Sequence, residues 1–218
     1  MEQSHTSYDK TSLSLLMRAV ERDQDAWQRL VRVYTPLICH WARRVGLQAD
    51  DVSDVAQDVF LVLHAKISQY DPQRGAGFRG WLWGITRKKL GEFLRRRRLH
   101  PAAVGGSDAL NLADLLADDA DESTWHSIGR TGDEALLLAA LDVVREDAQL
   151  HTWQAFWGMT VEGKSAAELA EVLGMTTKGV RQAKHRVLAK LREVLGDDAS
   201  AILKHSMSAD AAAWRSSQ

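Results

Sequence analysis

Arg79, Arg87, Lys88, Lys89 and the run Arg95 to Arg98 fall within one stretch, FRGWLWGITRKKLGEFLRRRR, from Phe78 to Arg98. Cations gathered in this way pair with anions. The same stretch carries Phe78, Leu82 and Ile85 and, after a one-position shift, Leu90, Phe93 and Leu94 at helical spacing. It therefore predicts one helix with an apolar face for a core and a cationic face for something else. Positive charge in the last turn also suits the helix dipole. Alone, the pattern is open between a polyanion and plain solvent, because arginine runs on helices are often solvated faces.

A second basic stretch narrows that choice. In VEGKSAAELAEVLGMTTKGVRQAKHRVLAKLREVL, Ser165 and Glu168 have capping-box spacing, Gly174 suits a left-handed helix end, and Thr176 can cap the next helix. Two helices separated by about three residues are the grammar of a helix-turn-helix, whose second helix enters the major groove. Val180, Val187, Leu188 and Leu191 are predicted to face inward, leaving Thr177, Lys178, Arg181, Gln182, Lys184 and His185 on other faces. Arginine and glutamine can read guanine and adenine edges in bidentate fashion, and lysines neutralise phosphates. The competing reading is a helical hairpin with a solvated basic face.

The elements that hold these helices show a segregated charge. The net charge is only -1, yet Asp50, Asp51, Asp54 and Asp58 form one acidic cluster. Asp108, Asp114, Asp118, Asp119, Asp121 and Glu122 form another. Separate faces for separate partners are the expectation. Composition, 45% hydrophobic and 26% charged over 218 residues, fits a globular chain of one large or two small domains. No apolar run of about 18 residues and no basic-then-apolar start occurs, so membrane insertion is not expected and the cytoplasm is. The single Cys39 cannot form an internal disulfide and reads as a buried small side chain. The histidines are scattered without metal-ligand pairing and no nucleophile motif occurs, so neither an enzyme nor a cofactor is expected. The loop DPQRGAG lacks the lysine-serine ending and preceding strand of a nucleotide-binding loop.

In order, residues 1–10 read as a loose arm, and a first helix begins near Thr11 with Leu13, Leu16, Met17 and Val20 as its stripe. Arg22 and Asp23 form a turn before Trp27, Leu30, Val31 and Tyr34. Pro36 is expected to break or kink that helix, which continues through Leu37, Ile38, Trp41, Ala42 and Val45 to Gly46. Asp50 or Asp51 can cap the next helix, with Val52, Val55, Val59, Leu63 and Ile67 inward and Asp54, Gln57, Asp58 and His64 elsewhere. It stops near Tyr70, ahead of Asp71-Pro72. Residues 101–132 read as a connector, after which Ala135, Leu138, Leu141 and Val144 mark one helix. Leu150, Trp153, Phe156 and Trp157 mark another, beginning near Asp147. The predicted fold is all-α. Two small helical domains, 10–100 and 133–196, are joined by a flexible acidic linker, the second is the helix-turn-helix, and residues 197–218 form a tail.

The order of an acidic helix, DVAQDVFLVLHAKISQYDP, then FRGWLWGITRKKLGEFLRRRR, a connector and a terminal helix-turn-helix resembles the extracytoplasmic-function sigma factors of bacterial RNA polymerase. The resemblance covers roughly residues 12–100 and 133–196. It implies a non-enzymatic subunit whose partners are the polymerase core and promoter DNA, with an anti-sigma protein left open as a third. It implies that Asp54, Gln57 and Asp58 dock on the polymerase clamp. It assigns Gly75, Phe78, Arg79, Trp81, Trp83, Arg87, Lys88 and Arg95 to recognition and melting of the minus-ten element. Thr177, Lys178, Arg181, Gln182, Lys184, His185 and Arg186 fall to the minus-thirty-five element. Gly179, Ala183 and Lys88 depart from the residues common in the family at those places. The competing functions are a stand-alone helix-turn-helix regulator and a module that sequesters a regulator.

Overall fold

Helices are the regular elements throughout the described part of the chain, and no strand occurs among the described residues, as the periodicity predicts. The structure, a computed structural model, describes residues 9–71, 77–99, 122–196, 199 and 202. The described residues divide into two bodies, the first those within Ala19–Ala135 and the second those up to Arg18 together with those from Leu136 onward.

Helix α1 spans Asp9–Val20 and starts earlier than expected. Among its described side chains Leu15 and Ala19 are buried while Met17 and Val20 are exposed, a correction to the predicted stripe, of which Leu13 lies outside the described side chains. The segment LSLLMRAV is apolar on nearly every side. Periodicity therefore cannot select the face that docks.

In the first body, Asp23 caps α2 (Gln24–Arg44) by accepting from the backbone N–H groups of Asp25 and Ala26 at 3.0 and 3.1 Å. Of the expected break or kink at Pro36, the break does not occur, since α2 runs through that residue. Proline removes one ladder hydrogen bond and costs about 3 kcal/mol. Leu37, Ile38 and Trp41 beyond it are fully buried, and each such side chain returns about 1.5–3 kcal/mol. Helix α3 (Ala49–Lys66) is preceded by Gln48, which makes no side-chain cap. Asp50 and Asp51 lie inside its first turn instead of capping it, where their charge still favours the helix N-terminus. Val52, Val55, Val59 and Leu63 are buried as predicted, and Ile67 is buried in a 3-10 turn, Ile67–Gln69, that ends the element.

Helix α4 (Gly77–Leu99) buries Phe78, Leu82, Leu90 and Leu94, with Ile85 and Phe93 half-buried. The buried Thr86 hydroxyl donates to the Leu82 carbonyl at 2.9 Å, so it carries no unmet polar group into the core. Helices α2, α3 and α4 pack in sequence, α3 touching both others. A short helix, α5 (Glu122–Gly129), stands where the sequence shows only connector, and it rests on α2 and α4.

Helix α6 (Asp133–Asp147) begins in the first body and continues into the second. It buries Leu136, Leu137, Ala140, Leu141, Val143 and Val144, whereas Leu138, predicted inward, is exposed. Helix α7 (Leu150–Thr160) starts at Leu150 and not near Asp147, so Leu150 lies exposed at its first turn. Phe156 is buried, and Trp153 and Trp157 are half-buried in an aromatic contact with 5.8 Å between ring centroids. Helices α8 (Ala166–Leu173) and α9 (Thr177–Leu195) close on α7 around Ala155, Ala166, Leu169, Val180 and Ala183. Gly158 permits that approach, since a Cβ there would fall 2.6 Å from Leu169 Cδ2.

Candidate nucleic-acid interface

The turn between α8 and α9 is built by short-range bonds. The Ser165 hydroxyl accepts from the Glu168 N–H at 3.2 Å, and the Glu168 carboxylate accepts from the Ser165 N–H at 2.7 Å. Those bonds hold the Glu168 carboxyl below its ordinary pKa. Gly174 takes φ +62°, and the Thr176 hydroxyl accepts from the Gly179 N–H at 3.0 Å. Val180, Val187 and Leu191 anchor α9 inward, and Leu188 is half-buried. The result is an outward stripe at i, i+3, i+4 and i+7: Lys178, Arg181, Gln182 and His185, all exposed. Arg186 beside it is exposed, and Thr177 and Lys184 are half-buried.

Helix α4 sorts its predicted residues onto three sides. Trp81, Lys88 and Arg95 recur every seven positions and share one outer stripe, with Lys88 and Arg95 exposed and Trp81 half-exposed. Trp81 edges an aromatic group, its ring centroid 5.4 Å from Tyr70 and 5.9 Å from Phe78. Phe78 itself belongs to the core, edge-on to Tyr34 at 5.0 Å and to Tyr70 at 5.4 Å. Arg79 and Trp83 face the opposite way. Arg79 pairs with Asp133 and donates to the Thr131 carbonyl, and Trp83 packs edge-on against Trp41 at 5.0 Å. Arg87 is half-buried, and Gly75 lies outside the described residues.

Part of the basic run meets acid within the same body. Arg97 pairs with Asp51 at 2.9 Å, Arg96 and Lys89 approach Asp58 at 3.7 and 4.0 Å, and Lys89 bonds Glu92 at 2.9 Å. The Lys89 bond holds the Glu92 carboxyl below its ordinary pKa. These half-exposed pairs are each worth about 1 kcal/mol or less. The pairs to Asp51 and Asp58 join α3 to α4, and Lys88 and Arg95 face outward.

On α3, Asp54 and Gln57 are exposed and Asp58 is half-buried beside those cations. Leu61 completes the stripe seven residues after Asp54 and is 69% exposed. Leu61 is absent from the predicted docking residues, although its offset from the Val52, Val55, Val59 and Leu63 face marks it as outward. Cys39 is half-buried, and burial raises its thiol pKa, which suppresses the thiolate.

Residues 30–100, from within α2 to the end of α4, match the Sigma-70 region 2 family. Over 191 residues the chain is 29% identical to the RNA polymerase sigma factor CnrH of Cupriavidus metallidurans, covering 84% of this chain and 94% of that one. It is 29% identical over 192 residues to the ECF RNA polymerase sigma factor SigD of Mycobacterium tuberculosis, covering 83% and 82%. It is 27% identical over 183 residues to the ECF RNA polymerase sigma factor SigF of Caulobacter vibrioides, covering 83% and 91%. No helix among the described residues is long and apolar enough to cross a membrane. The family match covers the body in which acid and base are sorted, and the relatives extend the likeness past it into the helix-turn-helix, so the chain belongs to the extracytoplasmic-function sigma factors of bacterial RNA polymerase.

Proposed function

We propose a division of labour among three helical stripes in this non-enzymatic initiation factor, which directs polymerase to promoters. Asp54, Gln57 and Asp58, with Leu61 among them, dock on the polymerase clamp. Acid around an exposed leucine suits a basic surface with an apolar centre, charge supplying encounter and orientation and the leucine supplying burial. Trp81, Lys88 and Arg95 meet the minus-ten element, where an aromatic face can stack on an unpaired base while cations hold the backbone. Lys178, Arg181, Gln182 and His185, flanked by Arg186, read the minus-thirty-five element in the major groove. The factor works in the cytoplasm, where polymerase does, and an inhibitory partner would act by covering one of these stripes.

The observation that carries this reading is that each stripe lies outward on a helix whose other face is core. The test is binding of labelled factor to polymerase core, followed by transcription in a reconstituted system. Asp54→Lys is expected to weaken core binding roughly tenfold or more, about 1.4 kcal/mol, and to lower transcription in proportion. Unchanged core affinity would remove α3 as the docking element.

A further inference from the structure

Thr131 comes at the end of the stretch that reads as connector and Asp133 opens the helix after it, yet both are turned onto α4. The Thr131 carbonyl accepts from Trp41 Nε1 at 3.0 Å and from Arg79 Nη2 at 2.8 Å. The Asp133 carboxylate takes Arg79 Nη1. The Thr131 hydroxyl donates to the Ile128 carbonyl at 2.7 Å and so serves as acceptor for His40 Nε2 at 3.0 Å. The Arg79 side chain is 12% exposed and that of Asp133 30%. Backbone fit is equally close: a Cβ on Gly129 would fall 2.6 Å from Trp83 Nε1, and one on Gly132, at φ +95°, 2.6 Å from Leu37 Cδ1.

An arginine with its charge paired, a second bond to a carbonyl and a side chain this little exposed presents little of its guanidinium to a phosphate, although two bonds leave three of its five donors uncommitted. Its neighbours on the outer stripe, Trp81 and Lys88, are held in place by whatever fixes the first turns of α4. We infer that Thr131 and Asp133 are positioning residues for promoter opening. Through Arg79 they clamp the start of α4 at the angle from which Trp81 meets DNA, and Arg79 is consumed in the clamp and makes no phosphate contact. The inference rests on the reading of α4 as the minus-ten surface.

The two roles of Arg79 separate by salt dependence and by coupling. Holoenzyme is assembled with Arg79→Ala, Asp133→Ala, Asp133→Asn, the Arg79→Ala/Asp133→Ala double variant, Trp81→Ala and Lys88→Ala, and promoter affinity and opening rate are measured across a salt series. A clamp predicts that the Arg79 and Asp133 single variants each slow opening about tenfold and that the double variant is no slower than either. It also predicts an unchanged slope of log affinity against log salt. Loss of a phosphate contact, expected for Lys88→Ala, makes that slope shallower by about 0.7–0.9. A shallower slope with Arg79→Ala, or opening unimpaired by both Asp133 variants, overturns the clamp. Retained core binding through α3 certifies that each variant is folded, and Asp133→Asn keeps the side-chain shape if alanine does not. Loss with Trp81→Ala and Lys88→Ala but not with the Asp133 variants overturns the clamp and leaves the α4 surface standing. No effect from any of them removes the surface, and the clamp with it.

Discussion

His40 shows how a single side chain ties local chemistry to the stability of the first body. Its imidazole faces the Thr131 hydroxyl, and burial, followed by Arg44, Arg43 and Arg79, pushes its pKa below the ordinary histidine value of about 6.5, with Glu134 opposing. A depressed histidine pKa means that the unfolded chain takes up its proton first. Stability is then full above the ordinary value and declines as pH falls below it toward the folded pKa. The melting temperature of the protein is expected to drop more between pH 7.5 and pH 5.5 than that of a His40→Gln variant. Parallel pH dependences in the two proteins would remove His40 as the cause.

At the scale of elements, α4 is a helix maintained by packing and not by propensity. It contains Gly84 and Gly91, and a Cβ at either would meet nothing within 4 Å. A glycine in a helix interior costs about 0.8–1 kcal/mol relative to alanine, and here no close approach within the body requires it. Gly84 is exposed on the outer stripe between Trp81 and Lys88. Gly84→Ala is therefore expected to stabilise the first body by roughly 0.5–1 kcal/mol, measured as a higher urea midpoint. The opposite sign would mean that α4 departs from a regular helix at that turn. The compensation for both glycines is visible on the inner face, where Leu82, Leu90 and Leu94 are almost wholly buried.

For the whole molecule, the two basic helices proposed to meet DNA sit in two bodies of one chain, so on that proposal each contact would raise the effective concentration of the other at the promoter. The division of labour predicts which promoter element each helix depends on. Arg181→Ala is expected to cost about 1–3 kcal/mol of promoter affinity at one base position. Lys178→Ala should weaken binding more evenly and make the salt slope shallower by about 1. On a promoter with a scrambled minus-thirty-five element the Arg181→Ala penalty should vanish, whereas the sequence-independent Lys178→Ala penalty and the Trp81→Ala penalty persist. A penalty from Arg181→Ala that survives the scrambling would place α9 on something other than that element.

Much of this organisation was legible in residue order because the interactions that encode it are short-range. Ser165 and Glu168, Gly174 and Thr176 define the helix-turn-helix through bonds spanning a few residues, and the inward faces of α3 and α9 follow from helical spacing between polar flanks. What sequence alone determined was therefore the all-helical class, the two basic helices, the acidic one and the family they resemble. Tertiary structure decided the rest wherever local pattern was degenerate or partners lay far apart. Apolar residues on nearly every side hid which face of α1 and α6 is buried, and burial beyond Pro36 carried α2 through a residue that by itself stops helices. Arg79 and Asp133 are 54 positions apart, and Arg97 and Asp51 are 46 apart. No periodicity reports such pairs, since they exist only once the helices between them have packed.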